Sequence, residues 1–463
     1  MRFLASSAFA TLALAAAVST GCDEKNTNLC DDACLDGGID APIDAPPVVG
    51  CVEDPGVCHD DDLTCVADVC KDCDVSVDDN TQTAACTTAA APVCGAGNDC
   101  RPCTAHDECD GGVCFEGTCP SGVLFVATDG DDLSGSNPCT DRAAPCKTLT
   151  STLTHVPALG GNAAANRRFI RLLSTGEYGE PSSVVIDNKA VWIIGQPVTS
   201  FPSGGRSIIR RPGANSATLS VQNSSDVYLE SVGIAGGGGN TTAHALACAS
   251  STLVARGIDA DGALGAGVNA NECVLTLVNS LVTRNRAGGI SINGTVAAVI
   301  VNNIIAENGA GNTPFGGLAI AAGPPATTVV QSNTIVFNNA AAGQADGVKC
   351  DVLGLAVQNN IVFTDSTRPR VSGTCTFSNT LYGPTDPNAA LGVTNGNTLV
   401  LTEALIQFRN ASERDYRLNA SATPASAARG LGSLTGLAPA AMTDIEGEMR
   451  PQGIVDVGCD EIP

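Results

Sequence analysis

An all-β chain, most of it wound as a parallel β-helix solenoid, is what this 463-residue sequence predicts, with a disordered tether and a small disulfide-rich segment in front. Three observations predict it. First, "VNSLVTRNRAGGISI" (Val278 to Ile292) and "VNNIIAENGAGNTPFGGLAI" (Val301 to Ile320) are near-copies. Each opens on an apolar residue and Asn, runs through a short apolar strand to a second Asn, and restarts at Gly-Gly. Second, two registers repeat in phase. Ser231, Arg256, Ser280, Asn303, Asn333, Asn360 and Asn379 are spaced by 25, 24, 23, 30, 27 and 19 residues, and Gly267, Gly289, Gly317, Gly347 and Gly373 by 22, 28, 30 and 26. Third, with 51 Gly and only 3 % aromatics, the composition suits thin stacked layers of small and aliphatic side chains. Periods in the twenties mean coils that bury their apolar faces on one another. There is no Leu ladder and no paired amphipathic helix. Three short strands per turn with Asn at a bend fit a parallel β-helix, in which Asn tolerates unusual backbone angles and bonds to its copy about 4.8 Å away.

The elements follow in chain order. Arg2 and the apolar run "FLASSAFATLALAAAV" read as an export signal over residues 1–21, too short and Ala-rich for a membrane span. It ends in "VSTGC", which resembles the lipobox of bacterial lipoproteins, with Ser19 where that family usually has Leu or Val. The resemblance implies that Cys22 is lipidated, attaching the chain to a membrane, the outer membrane or cell surface of a Gram-negative bacterium. The other reading is ordinary signal cleavage with Cys22 in a disulfide. Residues 22–50 are rich in Asp, Ala, Pro and Gly and read as a disordered tether. Residues 51–121 hold twelve cysteines, Cys51 to Cys119. Two C-x2-C pairs could hold zinc, but export, the many further cysteines and few histidines favour disulfides.

From residue 122 to 463 the texture is β: "LFVATDGDDLSGSNPCTDRAAPCKTLTSTLTHV" gives a strand, a polar loop and a short helix near Leu149 to Val156, followed by short β-branched runs. Cys139 with Cys146, Cys248 with Cys273 and Cys350 with Cys375 pair by proximity, the last two 25 residues apart, one coil. Equivalent positions on adjacent coils lie close enough for a disulfide. Cys459 has no near neighbour and is the expected odd thiol.

This part of the chain resembles the right-handed parallel β-helix proteins of the pectate-lyase-like superfamily. "VATDGDDLSGSNPCTDRAAPCKTL" is similar to their opening segment and "DYRLNASATPASAARG" to their closing one. "DIEGEMRPQGIVDVGCDE" is similar to the terminal tag of many exported bacterial β-helix proteins, with Cys459 in place of the usual Ala. The resemblance implies the fold; the fold hosts lyases, hydrolases, adhesins and stalks alike.

Formal charge is −24, and residues 1–120 hold 22 Asp/Glu against 4 Lys/Arg. No basic patch interleaved with aromatics suggests nucleic acid as a partner. Enzymes of the family need two or three carboxylates at stacked positions, or an acidic calcium cluster with a basic residue. The best catalytic candidates are Asp259 and Asp261 in "RGIDADGALG", with Arg256 or His244 nearby; the plainer reading is a solvated bend. Asp129, Asp131 and Asp132 supply oxygens suited to calcium, without the spacing of an EF-hand loop; a turn-forming loop is the plainer reading. Trp192 reads as core, or, if exposed, as a sugar-stacking platform. Ile, Val and Leu of the repeat point inward while Arg284, Arg286 and Glu307 stay solvated. The sequence therefore favours a surface-anchored, non-catalytic module binding polysaccharide, cell-surface glycan or matrix. The alternative is a polysaccharide lyase or glycoside hydrolase.

Overall fold

The structure, a computed structural model, describes residues 64–66, 69–71, 86, 91–94 and 100–463, apart from 133–136, 161–165, 198–203, 212, 214, 237–242, 295–296, 322–324, 367, 384–395, 401, 452–454 and 463. The export signal, Cys22 and the tether lie outside the described residues, as does most of 51–99.

Three parallel sheets of 10, 10 and 8 strands form the walls of a β-helix. One coil shows the plan: Thr252–Arg256 belongs to sheet I, Asp259–Asp261 to sheet II and Val268–Asn271 to sheet III. The next coil repeats it with Val274–Val278, Leu281–Thr283 and Ile290–Asn293, each strand in parallel register with the one before. Alternation sorts the faces. In sheet I the inward positions are Val227 and Leu229, Leu253 and Ala255, Leu275 and Leu277, then Ala298 and Ile300, all essentially inaccessible to solvent. Like stacks on like along the axis, so small aliphatic side chains fill the bore.

The corners decide the coil's shape. Between sheets I and II the chain turns on two residues. The first takes a positive φ: Gly257 (59°), Asn279 (50°), Asn302 (55°), Ser332 (54°) and Asn359 (58°). The second points inward and ladders with its copies. Oδ1 of Asn303 accepts from the backbone N–H of Ser280 (3.0 Å), Oδ1 of Asn333 from that of Asn303 (3.0 Å), and Oδ1 of Asn360 from that of Asn333 (2.8 Å). The carboxamide N–H groups of Asn303 and Asn333 donate to the next Oδ1 and to the carbonyls of Leu277 and Ile300. The unusual backbone angle and the ladder therefore fall on adjacent residues, not on one. A second ladder, Asn285–Asn308–Asn338, stands between sheets II and III with the same bonds, 2.9–3.0 Å from each backbone N–H to the next Oδ1. The asparagines of both ladders are buried.

The pairing corrects the sequence register at its ends. Ser280, Asn303, Asn333 and Asn360 are equivalent, but their counterparts are Val232, Ile258 and Thr380, not Ser231, Arg256 and Asn379. Arg256 faces outward on sheet I, and Asn379 is the positive-φ residue before the ladder position. Gly267, Gly289, Gly317 and Gly347 are equivalent because a Cβ there would lie 2.3–2.8 Å from the branched side chain of Val282, Ile305, Ile335 or Val362. Gly373 instead pairs with Cys350, and Arg370 takes the place opposite Gly347. Its buried guanidinium donates to the carbonyls of Ser366, Arg368 and Gly383, closing the last loop.

Cys248–Cys273 and Cys350–Cys375 are disulfides with Cα separations of 6.0 and 5.7 Å, and Cys139–Cys146 closes the first loop at 5.1 Å. The in-register partners of Cys248 and Cys350 are Ala270 and Gly373, so each bond runs from a sheet III strand to the corner two or three residues further along the next coil. Cys459 is free and buried.

Three additions complete the molecule. Helix Leu149–Thr152, capped by Thr148 Oγ1 and by the Glu180 carboxylate on its first N–H groups, closes the N-terminal end. A cysteine-rich module, held by Cys86–Cys100, Cys103–Cys114 and Cys109–Cys119, packs Phe115 against Phe169 and Trp192 on sheet I. A C-terminal segment lays Val400, Ile406, Tyr416, Leu418, Val457, Cys459 and Ile462 on the outer face of sheet II, against Leu281, Ile304, Val336, Ile361 and Phe363. Strands such as Ile304–Ala306 and Ile361–Phe363 are consequently buried on both faces. Glu307, expected in solvent, is bound by Arg414 (2.9 Å) and the Tyr416 hydroxyl (2.7 Å); Arg284 and Arg286 are exposed.

Asn333 holds the centre of its ladder. Asn333→Ala leaves the backbone and side-chain donors of Asn303 without an acceptor, so we expect destabilisation by roughly 2–5 kcal/mol, read as a lower denaturant midpoint at unchanged slope. A loss within experimental error of zero would mean that water replaces the carboxamide.

Candidate functional site

The solenoid offers three outer faces, and each differs in chemistry. The face of sheet I carries Phe169, Trp192 and Tyr228 in one register row, continued by Val254, Thr276 and Val299. Trp192 is not core: it points out of the coil, and the module covers it. Its ring meets Phe169 at 6.1 Å, Tyr228 at 5.6 Å, Phe115 at 5.2 Å and His106 at 6.0 Å between centroids. Those neighbours occupy the ring, so Trp192 is not the open sugar-stacking platform weighed from the sequence. Arg167 sits over both Phe115 (5.3 Å) and Tyr228 (4.8 Å) and binds Asp226 at 2.6 Å, tying module and sheet together.

The face of sheet II is covered from Leu281 onward, leaving the earlier strands with Glu177, Arg210, Asp259 and Asp261. Asp259 and Asp261 do share the outward face of one strand, since Ala260 between them is core. Neither Arg256 nor His244 is their partner. His244 Nδ1 accepts from the Ala266 N–H (2.9 Å), and Arg256 stands on sheet I. Instead Arg284 chelates Asp261, whose Oδ1 also accepts from Thr283 Oγ1 (2.9 Å), while Arg206 and, more weakly, Arg284 are the cations acting on Asp259. Oδ1 of Asp259 is shut off from water with no hydrogen bond, and burial pushes the carboxyl up to about 6 despite Arg206.

The face of sheet III carries two register rows. One reads Val185, Ser220, Ala247, Asn269, Ser291, Ala319, Lys349, Ser372; beside it run Asp187, Gln222, Ala249, Asn271 and Asn293. Apart from Ala319 these side chains are half-exposed or exposed. The carboxamides of Asn269 and Asn271 make no hydrogen bond to described residues.

The structure does not bring the carboxylates of Asp129, Asp131 and Asp132 together. Asp132 Oδ1 accepts from the Lys147 and Thr148 N–H groups (2.7 and 3.2 Å) and Oδ2 from Thr148 Oγ1 (2.6 Å), which makes it a turn-and-cap residue. Among the described residues the three carboxylates do not converge within ligand distance of one another. The cysteine groups that do converge include disulfide-bonded pairs.

A feature the sequence analysis missed is a cleft of about 830 Å³ between the module and sheet I, lined by Trp192, Tyr228, Glu230 and Arg256 on one side and by His106 and Glu116 on the other. The alternation in "AVWII", "DVYLE" and "TLVAR" places those sheet residues outward, but nothing in the sequence shows that the module comes to lie over them.

No protein-family model matches the chain, and no curated protein matches it. Among solved structures, the chain is similar to the crystal structure of pectate lyase Pel9A, at 14 % identity and a TM-score of 0.40, over 73 % of this chain and 95 % of that one.

The raised Asp259 carboxyl has a stability signature. It keeps its proton longer folded than unfolded, so its contribution favours the fold below about pH 4 and is lost as pH rises to about 6. Asp259→Asn should therefore raise stability above pH 6 by up to about 3 kcal/mol, with little change near pH 4. Denaturant titrations at pH 4 and 8 measure the difference; an equal effect at both would show that Asp259 ionises without penalty.

Proposed function

We propose that this chain is an exported, lipid-anchored surface protein whose β-helix is a non-catalytic binding module for glycan. The observation that carries the reading is the open face of sheet III. Its rows of carboxamides, hydroxyls and small side chains, about 4.8 Å apart along the axis, present donors and acceptors together. Sugar hydroxyls both donate and accept, and Ala247 and Ala249 leave room for close approach. The chain's net charge of −24 disfavours polyanions and supports a neutral ligand. Anchoring rests on "VSTGC" after the apolar run; several acyl chains suffice for stable attachment where one gives only marginal binding.

The second reading, a polysaccharide lyase or hydrolase, has one observation in its favour: the raised Asp259 carboxyl beside Asp261. We expect no cleavage of pectin-like or other uronic substrates in a reducing-end assay. Turnover that disappears in Asp259→Asn or Asp261→Asn establishes the enzyme instead.

Cys22→Ala should release the chain from the membrane fraction into periplasm or medium. Applied to an array of neutral and acidic glycans, with and without calcium, that released chain should retain neutral glycans and lose at least tenfold in affinity with Asn269→Ala plus Asn271→Ala. An array with no bound glycan ends the glycan reading, and unchanged fractionation of the cysteine variant ends the lipid anchor.

A further inference from the structure

Sheet III leaves the cleft between the module and sheet I unassigned. Both of its walls are rigid. One is a row of hydrogen-bonded strands; the other is a pair of short loops fixed by Cys103–Cys114 and Cys109–Cys119. A preformed cleft binds without an ordering cost.

Its chemistry is mixed in a particular way. Glu230 and Arg256 are neighbours in one register row, one strand apart, with Ile194 on the other side of Glu230. His106 Nε2 lies 3.4 Å from Oε1 of Glu230, whereas no described residue donates to Oε2. His106, Arg256 and Arg171 hold the Glu230 carboxyl below its ordinary value despite burial, so it is a charged acceptor. The Arg256 guanidinium and the Tyr228 hydroxyl have no hydrogen-bond partner among the described residues, and Arg256 is exposed. Beside them lies an apolar strip of Tyr228 and Val254, both half-buried. The site thus has a charged acceptor and a charged donor on adjacent strands, which lie about 4.8 Å apart, next to an apolar wall.

We infer that this cleft is a second sugar site, which takes one neutral pyranose ring or the end of a neutral glycan. Adjacent ring hydroxyls match the pair: one donates to Glu230, the other accepts from Arg256, and the C–H face of the ring lies on the strip. Charge decides against other ligands. Glu230, Asp107 and Glu116 oppose an anion, and Arg171 and Arg256 oppose a cation. The inference rests on the reading of this chain as a glycan binder but needs nothing from sheet III.

Trp192 is the single tryptophan and lines the cleft, so its emission reports this site and not the distant face. The full chain, titrated with glucose, galactose, mannose and N-acetylglucosamine, should show a saturable emission change with at least one. Arg256→Ala and Glu230→Gln should each raise the midpoint at least tenfold. Arg256 makes no hydrogen bond or ion pair to the described residues of the module, so its variant keeps the test sound if Glu230→Gln loosens His106; near-UV circular dichroism checks docking in both. No change with any sugar overturns the inference, as does a response confined to glucuronate or galacturonate. If the array binds glycan while Trp192 stays silent, the cleft site falls and the sheet III reading stands. If Trp192 responds while Asn269→Ala plus Asn271→Ala leaves array binding unchanged, the cleft stands and sheet III falls.

Discussion

A coil can stack on its copy only if the backbone N–H groups at its corners find acceptors inside the wall. A buried donor without one costs about as much as a good packing contact gains. The two asparagine ladders solve this. Each carboxamide accepts from the backbone of the coil before it and closes a carbonyl of that coil, and all but the last in each ladder donate to the carboxamide of the coil after it. Because identical groups recur at one spacing, a slip of a single residue would leave several of them unpaired at once. The register of the strands, the glycine positions and the placement of the disulfides all inherit that constraint.

Once the coils are fixed, what lies on the outside decides what the protein can touch. The module takes the aromatic end of sheet I, where Phe115 and Arg167 complete a cluster that would otherwise be a wet row of rings. The C-terminal segment takes the apolar length of sheet II. There Arg450, almost wholly buried, donates to Glu461, to the Gly458 carbonyl and to Asn302, while Asp444 collects the N–H groups of Glu446, Glu448 and Glu461. The terminal motif is thus a folded lock in which nearly every polar residue has a partner. Among the described atoms Nε of Arg450 and Oδ1 of Asp460 are left unbonded, and burial lifts the Asp460 carboxyl to about 7.

Much of this was legible in the sequence. The Asn and Gly spacings gave the solenoid and, in its middle coils, the right register, because ladder and close-approach positions admit few residue types. At the ends the signal failed. Ile258 and Thr380 hold ladder positions without being asparagine, and Arg370 stands where glycine recurs. The cysteine pairs were found by separation, although each bond crosses to a corner and not to the equivalent residue. Asp259 and Asp261 stand out in the sequence as a close pair, but Arg206 lies 53 residues before Asp259 and is brought there only by the coiling. The cleft was hidden for the same reason. Packing of one segment over another leaves no periodicity in either.

The C-terminal lock also sets an order of events. Coils pair with neighbours some 25 residues away, so they can form as the chain emerges. The Thr334–Cys459 and Asn302–Arg450 bonds span 125 and 148 residues. Until residues 400–462 arrive, the rows Leu281, Ile304, Ile361 and Val336, Phe363 are an uncovered greasy stripe on a finished rod. A chain interrupted before that point is a completed solenoid with an adhesive side, the kind of surface that chaperones hold and that joins rods to one another. The C-terminal segment therefore works as a seal: it follows in sequence the coils that it covers, so it can cover them only after they have stacked.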